Sequence, residues 1–246
     1  MTQTDSSQKP PDTMDSASAE EVLAWALERF HPRAALASSF GAEDMVVLDM
    51  MQRIRKDARV FTLDTWRLHA ETYDLLRRAE SKYGVRVERM EPQREAVEKM
   101  VAERGLNLFY DSVENRKMCC GIRKVEPLGR ALAGLDAWIT GLRRDQAATR
   151  ASVHKVEVDS GNRGILKINP LADWSSEQVW DYIRKHDVPY NALHDRGFPS
   201  IGCEPCTRAV KPGEDPRAGR WWWEQNTGQK ECGLHVGQAP SPPARG

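Results

Sequence analysis

The chain has 246 residues, of which 40% are hydrophobic and 29% charged, enough to bury a substantial core in one large domain or in a domain with an extension. Its 36 Lys and Arg balance its 36 Asp and Glu, so no global field argues for a nucleic acid or an anionic membrane as partner, and any anion site must be built locally. No apolar run approaches the ~18 residues of a membrane span, and the polar N-terminus lacks the apolar run of a signal peptide, so the expectation is a soluble, cytoplasmic protein.

Residues 1–17, rich in Ser, Asp, Gln and Pro, read as a disordered N-terminal arm, too polar to offset the entropy of ordering. Ser18-Ala-Glu-Glu21 then reads as a capping box that opens a helix running to Phe30. Short apolar runs at 34–37, 60–63, 85–90 and 138–140 read as strands, and 43–56, 69–82 and 94–104 carry helical apolar spacing. This alternation argues for an α/β fold with a mainly parallel sheet flanked by helices, where ligands bind beyond the carboxyl ends of the strands. The rule points to SSFGAED after the first strand, LDTWR after the second and GLRRDQAATR after the fourth. Residues 153–158 and 165–168, split by Asp159-Ser-Gly-Asn-Arg-Gly164, suggest a hairpin, and 175–186 a further helix. From Gly202 onward Gly, Pro and charge dominate.

The five cysteines fall into four grouped and one alone: Cys119-Cys120, Cys203-Glu-Pro-Cys206 and Cys232. By itself the adjacent pair could be two small buried hydrophobes, and the CxxC a redox dithiol, although such a dithiol opens a helix and 202–211 is turn-rich. Taken together, the pairs supply the four thiolates of a soft metal centre, and spacing leaves zinc and a 4Fe-4S cluster equally open. Cys232 sits in Lys230-Glu-Cys-Gly-Leu-His235, where nearby positive charge favours the thiolate and makes it a candidate nucleophile, the alternative being an incidental surface cysteine. Arg217 and Arg220, three apart among turn formers, suit bidentate contacts with phosphate or sulfate oxygens. Trp221-Trp222-Trp223 cannot all face one way, so at least one is expected to pack on a partner surface or cover a site.

These stretches, with HAETY, CCGIRKVEPL, INPLADWS, GCEPCTR, GEDPRAGRWWWE and KECGLH, are collinear from about Ala34 to His235 and resemble the adenylyl-sulfate and phosphoadenylyl-sulfate reductases. The resemblance implies an adenine nucleotide α-hydrolase-like fold: a reductase domain over 18–210 that binds nucleotide and an Fe-S site, then a flexible, mobile C-terminal tail over 211–246 that carries the nucleophile. Ser39-Phe-Gly-Ala-Glu-Asp44 is similar to the SGGxDS pyrophosphate loop of ATP pyrophosphatases, keeping the first Ser, the second Gly and the Asp. A loop of this composition turns backbone N–H groups and a helix N-terminus toward an anion. Trp66 stands where the family commonly has glycine.

Members with both cysteine pairs are similar to enzymes that hold a 4Fe-4S cluster and prefer adenosine 5′-phosphosulfate. The resemblance therefore implies a cluster on Cys119, Cys120, Cys203 and Cys206, with Cys232 as the catalytic nucleophile forming a thiosulfonate. Substrate contacts are expected from Ser38, Ser39, Gly41, Asp44, Leu63, Asp64, Lys124, Arg143, Arg144, Arg150, Arg217, Arg220 and His235. Thioredoxin or a similar dithiol protein is the implied reductant, in sulfate assimilation and cysteine biosynthesis. The alternatives are a phosphoadenylyl-sulfate or dual-substrate reductase, a zinc-bearing ATP pyrophosphatase and a non-enzymatic iron-sulfur sensor. Homo-oligomerisation is left open.

Overall fold

The computed structural model describes residues 14–224 and Leu234. Its centre is a six-stranded sheet formed by β1 (Ala34–Ala37), β2 (Arg59–Leu63), β3 (Val87–Met90), β4 (Ala137–Ile139), β5 (Val156–Asp159) and β6 (Ile165–Ile168), in the order β3-β2-β1-β4-β6-β5. All neighbours are parallel except β5, which pairs antiparallel with β6 as the hairpin reading expects. The helices are α1 (Ala19–Phe30), α2 (Ala42–Ile54), α3 (Ala70–Tyr83), α4 (Arg94–Arg104), α5 (Val113–Cys120), α6 (Glu126–Leu132) and α7 (Ser176–His186). At the head of α1 the Ser18 hydroxyl accepts from the Glu21 N–H at 3.2 Å, while the Glu21 carboxylate accepts from the Ser18 N–H at 2.7 Å, the reciprocal capping box read from the sequence.

Strand periodicity of two sorts the side chains onto two faces. Ala34, Leu36, Val60, Ala137, Ile139, Leu166 and Ile168 join a large core with α1, α2, α3 and α7, whereas Ala35, Phe61, Trp138 and Ile165 face Leu128 and Leu132 of α6. From β1 the chain proceeds to β2 and β3 on one side and then returns to place β4 on the other. The gap between β1 and β4 is thus a topological switch point, where connections leave in opposite directions and open a crevice.

A third apolar group stands away from the sheet and gathers Met100, Leu108, Phe109, Cys206 and Trp221. It rests on a stretch that apolar spacing did not reveal: α5, a π-helical turn over Gly121–Val125, and α6 follow one another directly. Gly121 and Pro127 punctuate that sequence and hide the helix. Pro127 is accommodated because it lies in the first turn of α6, where a missing N–H costs nothing.

Parts of the expected arm and tail, residues 14–17 and 211–224, lie within the described residues and make contacts. Of the expected arm 1–17, residues 14–17 are held: Asp15 accepts from the Lys155 N–H at 2.9 Å and pairs with the His154 ring at 2.6 Å, and the Lys155 ammonium donates to the Ala17 carbonyl at 2.6 Å. Of the expected tail, 211–216 is mostly exposed while 219–221 and Glu224 are buried. Trp221 is 1% exposed, and the Arg116 and Glu224 side chains, each 2% exposed, form a two-pronged ion pair at 2.7 and 3.0 Å.

Candidate functional site

A cleft of about 1050 Å³ opens beyond the carboxyl ends of β1, β2 and β4, at the switch point. Ser38, Ser39, Gly41, Asp44, Leu63, Lys124, Arg143, Arg150, Arg217 and Arg220 line it, so the structure brings together ten of the expected substrate contacts from five separate stretches of sequence. Two others do not line it. Asp64 turns back into its own loop and accepts from the Trp66 N–H at 3.0 Å and the Tyr73 hydroxyl at 2.7 Å. Arg144 leans toward the N-terminal segment, donating to the Val153 carbonyl at 2.7 Å and lying 3.8 Å from Asp15. His235 and Cys232 lie outside the described residues, whereas Leu234 lines the cleft, packed against the apolar cluster that contains Leu128 and Trp138.

Two of the cleft's loops hold bulky residues in the left-handed region, Phe40 at φ 59° after β1 and Trp66 at φ 58° after β2. That conformation costs an L-residue roughly 1–2 kcal/mol, and the trend for such strain to gather at functional sites fits its position here. Within the first loop Asp44 is buried and accepts from the Ser39 N–H at 2.6 Å and its hydroxyl at 2.7 Å. Burial, only partly offset by these donors, lifts the Asp44 carboxyl to about 6. Arg143, expected as an anion contact, is instead largely engaged: it reaches Glu43 at 3.0 Å, donates to the Trp174 carbonyl at 3.0 Å and pairs with Asp145.

Next to the cleft a second cavity is lined by all four grouped cysteines together with Arg67, Arg116, Arg123, Lys124, Arg220, Phe109 and Trp221. None of these cysteines is in a disulfide. Burial raises the Cys119 thiol, and burial followed by the neighbouring Cys203 pushes the Cys206 thiol up to about 12. Among the described residues no three His, Cys, Asp or Glu side chains stand together as a ready grip for a metal ion. The donor chemistry nevertheless fits a thiolate-ligated group: four cysteines from two segments line one cavity, beside aromatic rings and cations that suit a net-negative centre.

Two cations, Lys124 and Arg220, line both cavities. Arg220 lies flat over Gly202, where a β-carbon would come within 2.3 Å of its guanidinium, and its buried Nε has no hydrogen-bond partner among the described residues. A buried guanidinium edge left open in this way is an anion-binding group in waiting. The sequence reading also missed the joinery between the cavities. Thr65 lines the cleft, and its hydroxyl lies 3.2 Å from the Cys203 sulfur. Buried Arg123 donates to the Thr65 carbonyl at 2.7 Å, and the Glu204 N–H donates to the Arg67 carbonyl at 2.8 Å. The only sequence signal for these was proximity, since Thr65 and Arg67 flank Trp66 and Arg123 follows the cysteine pair.

Residues 33–209 match the phosphoadenosine phosphosulfate reductase domain. The chain is 54% identical over 217 residues to the adenosine 5′-phosphosulfate reductase of Burkholderia cepacia, covering 88% of this chain and 86% of that protein. It is 57% identical over 199 residues to the protein of the same name from Allochromatium vinosum, covering 81% and 77%. Among solved structures, the phosphoadenylyl-sulfate reductase of Candida auris in a phosphate complex superposes with a TM-score of 0.68 at 33% identity, over 80% of this chain and 93% of that one. The FMN adenylyltransferase of Candida glabrata, with FAD and pyrophosphate, shares the fold alone: TM-score 0.54 and 13% identity, over 85% and 74%.

Proposed function

This chain belongs to the phosphoadenosine phosphosulfate reductase family, and from that membership we propose that it reduces adenosine 5′-phosphosulfate to sulfite and AMP in sulfate assimilation and cysteine biosynthesis. The observation that carries the reading is the pair of cations shared by the two cavities. Lys124 and Arg220 stand where a sulfonate held in the cleft and a net-negative group held by the cysteines would both meet positive charge.

In the proposed reaction the nucleotide lies across the carboxyl ends of β1 and β2, its base over the apolar floor of Leu63, Leu128 and Trp138, its sulfonate toward Lys124, Arg217 and Arg220. The Cys232 thiolate attacks the sulfonyl sulfur; an S–S bond forms, the S–O bond to the phosphate breaks, and AMP leaves with the electron pair. Attack by an anion on a sulfur ringed with negative oxygens is costly, and these cations offset the charge that builds up. Support for a tail that reaches the cleft comes from Leu234, two residues beyond Cys232, which lies on the cleft floor. A thiolate of thioredoxin or a similar dithiol protein then attacks the Cys232 sulfur, sulfite departs with the electron pair, and the partner's second cysteine clears the mixed disulfide. Cys119, Cys120, Cys203 and Cys206 would hold a 4Fe-4S cluster, whose contribution when bound is a fixed negative charge beside Lys124 and Arg220. That assignment rests on the all-sulfur donor set and on relatives named for the 5′-phosphosulfate substrate.

The test is iron and acid-labile sulfide analysis of anaerobically purified protein, with thioredoxin-dependent sulfite release from adenosine 5′-phosphosulfate and from its 3′-phosphorylated form. Four irons per chain, preference for the first nucleotide and loss of turnover in Cys232→Ser are expected. Zinc in place of iron, or full turnover in Cys232→Ser, overturns the reading; equal use of both nucleotides makes it a dual-substrate reductase.

A further inference from the structure

Between β4 and β5 the chain passes the cleft as a loop over residues 144–155, built on two single turns of 3-10 helix, Arg144–Gln146 and Ala148–Arg150. Gln146 and Arg150 line the cleft. The Gln146 Oε1 accepts from the Arg143 N–H at 3.1 Å and from the Arg150 guanidinium at 2.6 Å, so the loop's own shape sets where Arg150 stands. The neck of the loop is crossed by Arg144, whose N–H donates to the Ala172 carbonyl at 2.9 Å and whose Nε donates to the Val153 carbonyl at 2.7 Å. From outside the cleft Asp15 closes this neck. One of its oxygens accepts from the Lys155 N–H at 2.9 Å and lies 3.8 Å from the Arg144 Nη2, and the other lies 2.6 Å from the His154 Nδ1. Lys155, its side chain 3% exposed, secures the same segment by donating to the Ala17 carbonyl at 2.6 Å while pairing with Asp173 at 2.8 Å. Asp15 thus touches both ends of a cleft loop without lining the cleft.

We propose that Asp15 is a positioning residue for the nucleotide cleft: by joining Arg144 to His154 and Lys155 it holds the loop 144–155 closed, and through that loop it sets Arg150 toward the bound anion. The segment ahead of α1 is then a working part of the site. A loop that spends only part of its time in the binding-competent form weakens the apparent affinity by that fraction, and saturating ligand restores it. Loss of Asp15 therefore reads as a raised KM at an unchanged kcat. The Asp15 side chain is 46% exposed, so its ion pairs are screened by solvent and the effect is several-fold, not a hundredfold. The inference rests on the proposed function for the identity of the anion, adenosine 5′-phosphosulfate.

The experiment compares full-length, anaerobically purified wild type, Asp15→Ala, Asp15→Asn, Arg150→Ala and the double variant Asp15→Ala/Arg150→Ala. Each is assayed for thioredoxin-dependent sulfite release, and each is titrated calorimetrically with adenosine 5′-phosphosulfate in a Cys232→Ser background, where the nucleotide is not consumed. Asp15→Ala is expected to raise both KM and Kd about fivefold with kcat within about twofold of wild type. Asp15→Asn, which keeps an oxygen for the Lys155 N–H, is expected to raise them less. On top of Arg150→Ala, the Asp15→Ala change is expected to move Kd by less than about twofold, because the residue through which it acts is already gone. A wild-type Kd in Asp15→Ala, a fall in kcat at constant KM, or the full loss added to that of Arg150→Ala overturns the inference, provided the circular dichroism spectrum is that of wild type; should Asp15→Ala misfold, Asp15→Asn decides on the same terms. Nucleotide binding without sulfite release removes the proposed reaction alone, and the Kd values still decide the role of Asp15. Absence of nucleotide binding in the Cys232→Ser protein removes both.

Discussion

The nucleotide cleft and the cysteine cavity lie side by side and share Lys124 and Arg220, but they are held in place differently. The cleft hangs on a sheet. Its loops leave β1, β2 and β4 at one edge, and their backbones are positioned by parallel ladders such as Leu36 on Val60 and Leu36 on Ile139. The cysteine cavity has no ladder beneath it. It is closed by α5, a π turn, the short Cys203–Cys206 segment and chain 217–224, joined by the buried Arg116–Glu224 pair, by Trp221 between Arg116 and Arg220 at 4.6 and 4.9 Å, and by the isolated bridge between Leu68 and Cys203. A site borne on a sheet tolerates loss of one side chain, while one assembled from side chains is only as firm as its individual contacts.

The most severe way to press this contrast is to remove one sulfur from each side. Cys232→Ser and Cys206→Ser are each expected to lower sulfite production by about 1000-fold or more, since neither a nucleophile nor a ligand has a substitute. They part in a second measurement: iron content and melting temperature stay at wild-type values in Cys232→Ser and fall in Cys206→Ser. Equal losses of iron would break the comparison.

Next in size is Arg116→Met. It leaves the Glu224 carboxylate buried without its partner, which costs roughly 3–5 kcal/mol in urea unfolding, and the double variant Arg116→Met/Glu224→Leu should recover most of that loss. A single variant of wild-type stability would show that the cavity does not depend on this clasp.

On the cleft side, Asp44 supplies a pH test. Its carboxyl stands at about 6 in the fold against an ordinary value of 3.8, so between these limits the folded chain keeps a proton that the unfolded chain has lost. Stability from this group is therefore present below about pH 4 and is lost as pH rises through 6, by an amount on the order of 3 kcal/mol. Asp44→Asn does not titrate. Its stability relative to wild type should climb across that window, and a difference that stays flat from pH 4 to 7 would contradict the assignment.

The smallest effect is expected at Trp66. It is held at φ 58° with 41% of its surface exposed, so Trp66→Gly relieves left-handed strain at little cost in packing. Set against the greater entropy of an unfolded glycine, the net gain is about 0.5 kcal/mol in chemical unfolding. A loss of 1 kcal/mol or more would mean that the indole supports the loop.

Periodicity and capping signals fixed the scaffold with little ambiguity. The sorting of 34–37 and 60–63 between the two faces, and the Ser18–Glu21 box at the head of α1, are local properties that neighbours in sequence decide. The carboxyl-end rule then told which loops meet, because parallel connections always return to the same edge. By contrast α5 was hidden by Gly121 and Pro127, and Arg144 could not be told from Arg143, since adjacent side chains on an irregular loop have no fixed period.

From sequence alone came the α/β order, the four-plus-one division of the cysteines and the loops that border the cleft; each follows from residue type and short-range spacing, which the chain carries wherever it folds. Only the tertiary structure decided that Lys124 and Arg220 serve two cavities, that Arg143 is engaged by Glu43 and Asp145, and that Asp44 is buried beneath the Ser39 donors. Those facts depend on which charges become neighbours once distant loops are brought to one edge of a sheet, and electrostatic partners at that range leave no periodic mark in the sequence.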